Sequence, residues 1–548
     1  HRVLQRYGNP AAAKEKAEES VQREGGGGAI DLLAGAVNAA KGGDVVASSG
    51  GDQAAIKAKQ AALTAFARAF QDSVSGKCLQ AALSLLQRVH RNEVLPGRVH
   101  MLCISYIEEA IKYKTTYLAI LKPQVEALFR EVIYPPLCFS AADAEQWEND
   151  PQEYVRRSLD VIEEYYSPRA AAQNLLIALT TARAKDSLHS IVSACSQILG
   201  ASLNTSDVNL LMQKDGALLA LGSLRKHLTK KAEYKGSLEP MLRVHVLPML
   251  SSEHGFMRQR AAWIYSQFSG TIFRKCGKAG NGEAPSGKGD VASAQAVEQM
   301  QQVFPLVIGG LRDRDLPVRV QAAQTIKELV EQECMPPSVI ELLPQLMELL
   351  FKLLQEVGAD EIVATVDTLI EHYGEQMVPY AVQVVGALAQ SFMRLVDESD
   401  EEDEDDATLA ALGVMQALGT MMEAISGKAE VYRQMEAPLM PLFARCCEQD
   451  AEDYFEEMLE LLNYVVYYAE SISPQLWSLV PKLHSIYHDW GREYLNQLGN
   501  CLDSFITRSP EAFLTINNGQ LVQSIVSICR DALISDEANE SMQDYDQH

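Results

Sequence analysis

Along most of the chain, apolar residues recur at alternating steps of three and four. Ala381, Val384, Val385, Leu388, Phe392, Leu395 and Val396 fall on one face of a helix, and Ala411, Val414, Met415, Leu418, Met421, Met422 and Ile425 fall on one face of another. Between them lies "LVDESDEEDEDDATLA", residues 395–410. Nine of the ten residues from Asp397 to Asp406 are acidic: Asp397, Glu398, Asp400, Glu401, Glu402, Asp403, Glu404, Asp405 and Asp406. Like charges at this density repel and bury nothing, so the run is expected to be a loop between two packed helices. Helical periodicity dominates from residue 53 to about 535, and runs of alternating β-branched residues are missing. The expected fold class is all-α.

The helices have a longer rhythm. Proline recurs in apolar surroundings at Pro248, Pro305, Pro344, Pro379, Pro441 and Pro481, at intervals of 57, 39, 35, 62 and 40 residues. The two long intervals contain a Gly-rich stretch at 276–290 and the acidic run. Without them the period is about 40, that of helix-pair solenoid repeats. Each proline is expected to start or bend the first helix of a pair, because the first turn loses no N–H bond to proline. The second helices share a pattern. "DRDLPVRVQAAQTIKELV" (313–330) superposes on "SEHGFMRQRAAWIYSQF" (252–268), with Val318 on Met257, Arg319 on Arg258, and Ala322–Ala323 on Ala261–Ala262. Small alanines permit close approach, the arginine can cross to a neighbouring repeat, and Asp315 or Ser252 can cap the helix. This pattern resembles that of HEAT repeats and implies an α-α superhelix, a HEAT-repeat solenoid, over 53–535.

Composition refines the picture at its edges. Residues 1–24 read as part of a helical repeat. Residues 25–52, with nine glycines in 28 positions, read as a flexible insert, 276–290 as a second flexible loop, and 536–548 as a polar tail. The formal net charge of −25 argues against direct nucleic-acid binding and for basic partners, and there is no basic stripe. The ten cysteines form no CxxC pair and read as reduced, buried thiols. No run of 18 apolar residues exists, so no membrane span is expected. The chain begins at His1, consistent with a fragment or processed chain, so missing targeting signals carry little weight.

Candidate chemistry is sparse. "GEAPSGKG", Gly282 to Gly289, approaches a phosphate-binding loop, but Gly289 stands where a hydroxyl is needed and no strand precedes it. His245, His254 and Cys276 match no metal-ligand spacing, and adjacent Cys446–Cys447 cannot both face one ion. The acidic run lacks the glycine and spacing of a calcium loop. Asn204-Thr205-Ser206 is a formal sequon without secretory context. Tyr464, Tyr467 and Tyr468 read as helical core. No catalytic residue, cofactor or metal is expected, and the chain is expected not to be an enzyme.

One stretch, "VIYPPLCFSAADAEQWENDPQEYVRRSLDVIEEYYSPRAAAQNLL" (132–176), resembles the importin-β-like karyopherins, in particular the importin-7/importin-8 subgroup. The resemblance rests on Trp147, Asp150-Pro151, Glu153-Tyr154, Arg156, Ser167-Pro168 and Ala171-Ala172-Gln173, and continues through 214–224, 245–263, 450–462 and 471–481. It implies a receptor shuttling between cytoplasm and nucleus. Such a receptor carries basic cargo such as ribosomal proteins or histones, touches Phe-Gly nucleoporins, and releases cargo to RanGTP, with importin-β as a further partner. Family members are longer, so the chain resembles a central portion. Acidic loops in the family can contact Ran or cargo, which makes the nine carboxylates of 397–406 the candidate partner-binding residues. The alternatives are a HEAT scaffold without transport role and the exporter that recycles importin-α.

Overall fold

A computed structural model describes residues 61–62, 65–66, 68–91, 93–159, 167–201, 206–273, 294–332, 335–336, 338–357, 360–397 and 404–534. The expected partial repeat at 1–24, the insert at 25–52, the loop at 276–290 with its phosphate-loop-like motif, Asn204-Thr205, Cys276, Cys334 and the tail at 536–548 lie outside the described residues. So do Glu398, Asp400, Glu401, Glu402 and Asp403. Among the described residues every regular element is helical. The chain divides into two compact units, His1–Phe268 and Ser269–His548.

In the first unit, α1 (Gly76–His90) pairs with α2 (Gly97–Ile111). A long helical run over 114–137 follows, then the short helices α3 (Ala141–Asn149) and α4 (Pro151–Leu159). Next come α5 (Pro168–Ala182), α6 (Ala184–Gly200), α7 (Val208–Ser223), a second long run over 232–251, and α8 (Gly255–Ile272), within which the division falls. The second helices of successive pairs pack on one another, α2 on α5 and α5 on α7. Proline shapes the two long runs. Pro123, Pro135 and Pro248 each follow a π-helical turn, at Tyr117–Leu121, Leu128–Ile133 and Leu242–Val246. A proline ring presses on the carbonyl one turn back and donates no N–H; an extra residue in that turn relieves both problems.

The resemblance-bearing stretch forms a clamp in this unit. Ser140 and Asp143 make a reciprocal capping box that starts α3, Asp150 Oδ1 accepts the Glu153 N–H at 3.0 Å to start α4, and Ser167 caps α5. Trp147 packs edge-on against Phe139 (6.0 Å) and Tyr154 (5.0 Å), and Phe139 stacks on Phe256 of α8 at 4.4 Å. Arg169 ties the clamp by donating to Asp143 (2.6 Å) and to the carbonyl of Cys138 (3.1 Å). Behind it, Asp215 of α7, 1% exposed, accepts from Arg260 Nε at 2.7 Å. The guanidinium also lies over the Trp263 ring.

The second unit is a stack of helix hairpins. They are α9 (Ala294–Gly310) with α10 (Leu316–Val330), α11 (Val339–Val357) with α12 (Asp360–Met377), and α13 (Ala381–Asp397) with α14 (Glu404–Ala424). Then come α15 (Ala429–Arg445) with α16 (Phe455–Tyr468), α17 (Leu479–Asp489), α18 (Leu495–Arg508) and α19 (Gln520–Ile534). The second helices α10, α12, α14, α16 and α18 pack in sequence, as do the first helices α11, α13 and α15. The two apolar faces read from the sequence are buried, with Leu395 and Val396 half-buried at the end of α13. All six recurrent prolines lie in or directly before the first helix of a pair. However, Pro305, Pro344 and Pro441 sit inside α9, α11 and α15, not in a first turn.

The paired alanines do allow close approach: Ala322 and Ala323 are buried, and Thr365 of α12 donates to the Ala323 carbonyl at 3.2 Å. The two matched arginines differ. Arg319 crosses to the next repeat and grips Glu356 of α11 with two bonds, 2.6 and 2.7 Å. Arg258 instead donates to the carbonyls of Ser252 (2.7 Å) and Glu253 (3.0 Å), in the turn before its own helix. Asp315 occupies the N-cap position of α10, yet its side chain makes no capping bond; Asp313 Oδ1 accepts the Asp315 N–H instead. Ser252 accepts the His254 N–H at 3.3 Å, ahead of the start of α8. Two further arginines, not singled out by the pattern, brace successive second helices. Arg183 donates to the terminal carbonyl of α2 (2.9 Å) and Arg508 to that after α16 (3.1 Å), each beside a tyrosine ring.

The thiol reading holds in part. The eight described cysteines are free, but Cys78 and Cys529 are exposed. The tyrosine reading needs correction. Val465 and Val466 supply the core of α16, whereas Tyr467 is exposed and Tyr464 and Tyr468 are half-buried at its margin.

Two stability tests follow. A Cβ on Gly216 would lie 2.6 Å from Cys138 Sγ and 3.0 Å from its Cα, so Gly216→Ala should cost about 1–3 kcal/mol through overpacking against backbone. Chemical unfolding monitored by circular dichroism measures it. Arg319→Ala should cost about 0.5–1 kcal/mol, because the pair is partly solvated. Glu356→Gln should lose a similar amount, and the double variant less than the sum.

Candidate partner-binding face

Three consecutive second helices of the second unit carry one sign of charge. α12, α14 and α16 hold five, four and three Asp or Glu residues and no Lys or Arg. Glu371, Glu375, Glu423, Glu456 and Glu460 are exposed. The hydrogen bonds that link these helices leave the charge in place, because the donors are neutral. Gln416 donates to Asp367 (3.1 Å), Tyr464 to Glu423 (3.1 Å), and Gln497 of α18 to Glu456 (2.7 Å). A carboxylate held by an amide or phenol is oriented without being neutralised.

The turn edge of the same hairpins is the opposite case. Arg445, at the end of α15, takes Asp397 (3.1 Å), Glu448 (3.2 Å) and Asp450 (2.9 Å). Its hydrogen bond, with its charge, holds the Asp450 carboxyl below its ordinary range. Arg394 donates to the Gln355 carbonyl at 2.6 Å. The acidic run therefore does not form one loop from 397 to 406. Asp397 is the last residue of α13 and is engaged by Arg445, while Glu404, Asp405 and Asp406 open α14. Repulsion alone would exclude helix here. The positive end of the α14 dipole accepts acidic residues in its first turn, and an arginine offsets the other end of the run.

Sequence reasoning missed a groove of about 540 Å³ between α14 and α16. Leu409, Leu412, Met415 and Leu461 form its apolar part, and Glu423, Glu457, Glu460 and Tyr464 its polar part. Leu409 is 61% exposed. A Cβ on Gly419 would meet nothing within 4 Å, so the absent side chain helps leave the groove open. Two glycines on α14, Gly413 and Gly419, were the available signal. Glu457 Oε2 is buried without a hydrogen-bond partner. Burial, reinforced by Glu456 and Glu460, raises the Glu457 pKa. Burial and the bond to Glu423 push the Tyr464 phenol up to about 12.

Elsewhere, Ser527, His488 and Asp531 fall in the order of a hydrolytic triad, at 3.4 Å for each contact. Ser527 sits within α19, where backbone N–H groups are consumed by the helix itself, so no oxyanion donor faces it. His254 packs beside Phe256, and among the described residues no group of His, Cys, Asp and Glu has the arrangement of a metal site. Among those residues, no helix is long and apolar enough to cross a membrane.

Comparison with known proteins gives the class and then the group. A family model described as "ParcG: Parkin co-regulated protein" matches residues 295–428, a quarter of the chain, from α9 to the end of α14. Among solved structures, the exportin Cse1 in its cargo-free, cytoplasmic state has a TM-score of 0.63 at 13% identity, covering 86% of this chain and 48% of that one. Kap95p in its complex with RanGDP has a TM-score of 0.53 at 11% identity, covering 98% and 56%. At these identities the likeness concerns fold: a HEAT-repeat solenoid of the karyopherin type. Sequence relatives are more specific. An importin beta-like SAD2 homolog of Arabidopsis thaliana is 31% identical over 85% of this chain and 43% of its own length. A probable importin-7 homolog of Dictyostelium discoideum is 30% identical over 82% and 40%, and human importin-8 is 26% identical over 83% and 41%. The chain is thus a homologue of the importin-7/importin-8 group over most of its length. It spans less than half the length of these curated relatives.

The raised pKa of Glu457 carries a stability consequence. Burial penalises the ionised carboxylate; the penalty is absent well below the ordinary value of 4.5, where the group is protonated folded or unfolded, and complete above the raised folded value. Glu457→Gln should therefore raise the melting temperature at neutral pH, and the gain should vanish at acid pH. Melting curves at both pH values check this.

Proposed function

We propose that this chain forms the cargo-holding part of a nuclear import receptor that shuttles between cytoplasm and nucleus. Basic proteins, such as ribosomal proteins or histones, dock on the acidic face of α12, α14 and α16. The observation that carries the reading is the single-sign charge of that face, held by neutral donors, in a chain homologous to importins. Such a field attracts lysine-rich surfaces from a distance and shields their charge. Stacked hairpins contact only their neighbours, so the face can adjust to cargo of different shapes. Release by RanGTP, weak docking of Phe-Gly nucleoporins and cooperation with importin-β belong to the whole receptor in this reading. No catalytic step is involved. The carboxylates of the acidic run, residues 397–406, add to the attraction for basic cargo in this reading.

The deciding experiment is capture of the full-length protein on an immobilised histone, with and without RanGTP. RanGTP should release it. Strengthened binding would instead indicate an exporter, and indifference a scaffold without transport role. Within the present chain, replacing 398–403 by a Gly/Ser linker should leave thermal stability nearly unchanged. It should weaken histone binding at low salt, with a deficit that narrows as the screening length falls to about 8 Å near physiological ionic strength.

A further inference from the structure

We propose that the edge of the first unit where α2, α5 and α7 end is a docking strip for a short acidic protein segment, an extended run rich in Asp and Glu. The inference goes beyond the basic-cargo reading and does not rest on it: it concerns the other unit and a partner of opposite charge.

Hydrogen bonds join the three helix ends into one edge. Arg183, directly after α5, donates to the carbonyls of Ile111 (2.9 Å) and Lys112 (3.3 Å) at the end of α2. Thr181 of α5 bonds His227 Nε2 at 3.2 Å, in the short helix Arg225–Lys230 that follows α7. The edge gathers exposed cations from three separate places in the sequence: Lys112 and Lys114 after α2, Lys185 after α5, and Arg225, Lys226 and Lys230 after α7. A basic stripe absent from the linear sequence is thus assembled by the fold. Cations favour helix C-terminal ends, whose free carbonyls carry partial negative charge. Arg183 serves α2 in that way, by donating to the carbonyls directly.

The carboxylates of the edge do not cancel this charge. Glu109 is held by Lys112 (2.6 Å), and Asp186 by Lys122 (3.1 Å) and Tyr117 (3.1 Å). Lys114, Lys185, Arg225, Lys226 and Lys230 make no salt bridge and no side-chain hydrogen bond among the described residues. His227 registers the resulting field: burial, and then Lys231 and Lys230, lower its pKa. Packed helices stand about 8–10 Å apart, so three helix ends span roughly 20 Å. An extended segment covers that distance in about six residues. The spacing selects the occupant. A single phosphate would meet one cluster and leave the others unanswered, whereas carboxylates along an extended chain reach all three. A long nucleic acid would run off the strip onto a chain of net charge −25. Its bases would also find no ring to stack on, because Tyr113 and Tyr117 are buried and Lys231 lies over the half-buried Tyr234.

The test is fluorescence anisotropy at low salt on the whole 548-residue chain. The probe is a labelled peptide of alternating Glu and Asp; the controls are a Gln/Asn peptide of the same length and a single-stranded oligothymidylate. Three double variants each remove two exposed cations of the first unit: Arg225→Gln with Lys226→Gln, Lys114→Gln with Lys185→Gln, and, away from the strip, Arg91→Gln with Arg98→Gln at the turn between α1 and α2. The first two should each weaken the acidic probe about fivefold, as expected for the loss of two solvated ion pairs, and the third less than about twofold. The Gln/Asn peptide should not bind. Melting curves confirm that each variant is folded; every substituted side chain is exposed. Equal losses in all three variants would overturn the strip, because the effect would then follow net charge alone. Tighter binding of the oligothymidylate than of the acidic peptide would overturn it in favour of nucleic acid. Failure of the acidic peptide to bind the parent chain would overturn it outright, while capture of the chain on histone would leave the basic-cargo reading standing.

Discussion

A helix hairpin of about forty residues cannot bury its own apolar surface; it needs a neighbour of the same kind. That constraint organises both units. It puts small residues where helices meet, so that Ala323 meets Thr365 of α12, Ala322 faces Gly310 of α9, and a Cβ on Gly374 would strike Ala424 at 2.4 Å. It also leaves the ends of those helices to be satisfied by the next repeat. Arg183 and Arg508 do this by donating to the terminal carbonyls of the preceding second helix. The six recurrent prolines fall in or directly before the first helices of the pairs, and π-helical turns absorb the cost of Pro123, Pro135 and Pro248 along the 114–137 and 232–251 runs.

Stacking also sorts charge. Arginines sit at the turn edge, where Arg319, Arg394 and Arg445 connect one hairpin to the next. Along α12, α14, α16 and α18 the carboxylates and amides of the second helices are bridged instead by glutamines, a serine and a tyrosine. Cohesion between hairpins is thereby obtained without neutralising the acidic face. Had lysines made those bridges, the stack would hold as well, and the face would have no field to offer a basic partner.

Two carboxylates, Asp215 buried and Glu457 half-buried, show how differently the chain treats such groups. Asp215 is paired with Arg260 and pressed beneath a clamp of aromatic rings, so its charge is compensated inside the fold. Glu457 has no cation, and its burial is a standing cost to stability. A structural role would favour replacing it by an amide or an apolar residue.

The amino-acid sequence by itself determined the helices, their pairing period and their apolar faces, because 3.6-residue periodicity and a proline rhythm are local properties of the chain. Every apolar position read for α14 is buried. The resemblance carried by Trp147, Tyr154, Ser167 and Ala171–Gln173 pointed to the importin group; Trp147 and Tyr154 turn out to pack a clamp, and Ser167 to cap α5. What the sequence could not decide was which charges meet. Arg258 and Arg319 occupy the same place in one pattern, yet one bonds its own turn and the other the next repeat. Asp397 and Asp406 belong to one acidic run, yet one ends a helix under Arg445 and the other begins the next. The groove beneath Leu409 combines side chains from two helices more than forty residues apart. Their juxtaposition depends on the parallel register of α14 and α16, which packing across the stack sets and no single helix encodes.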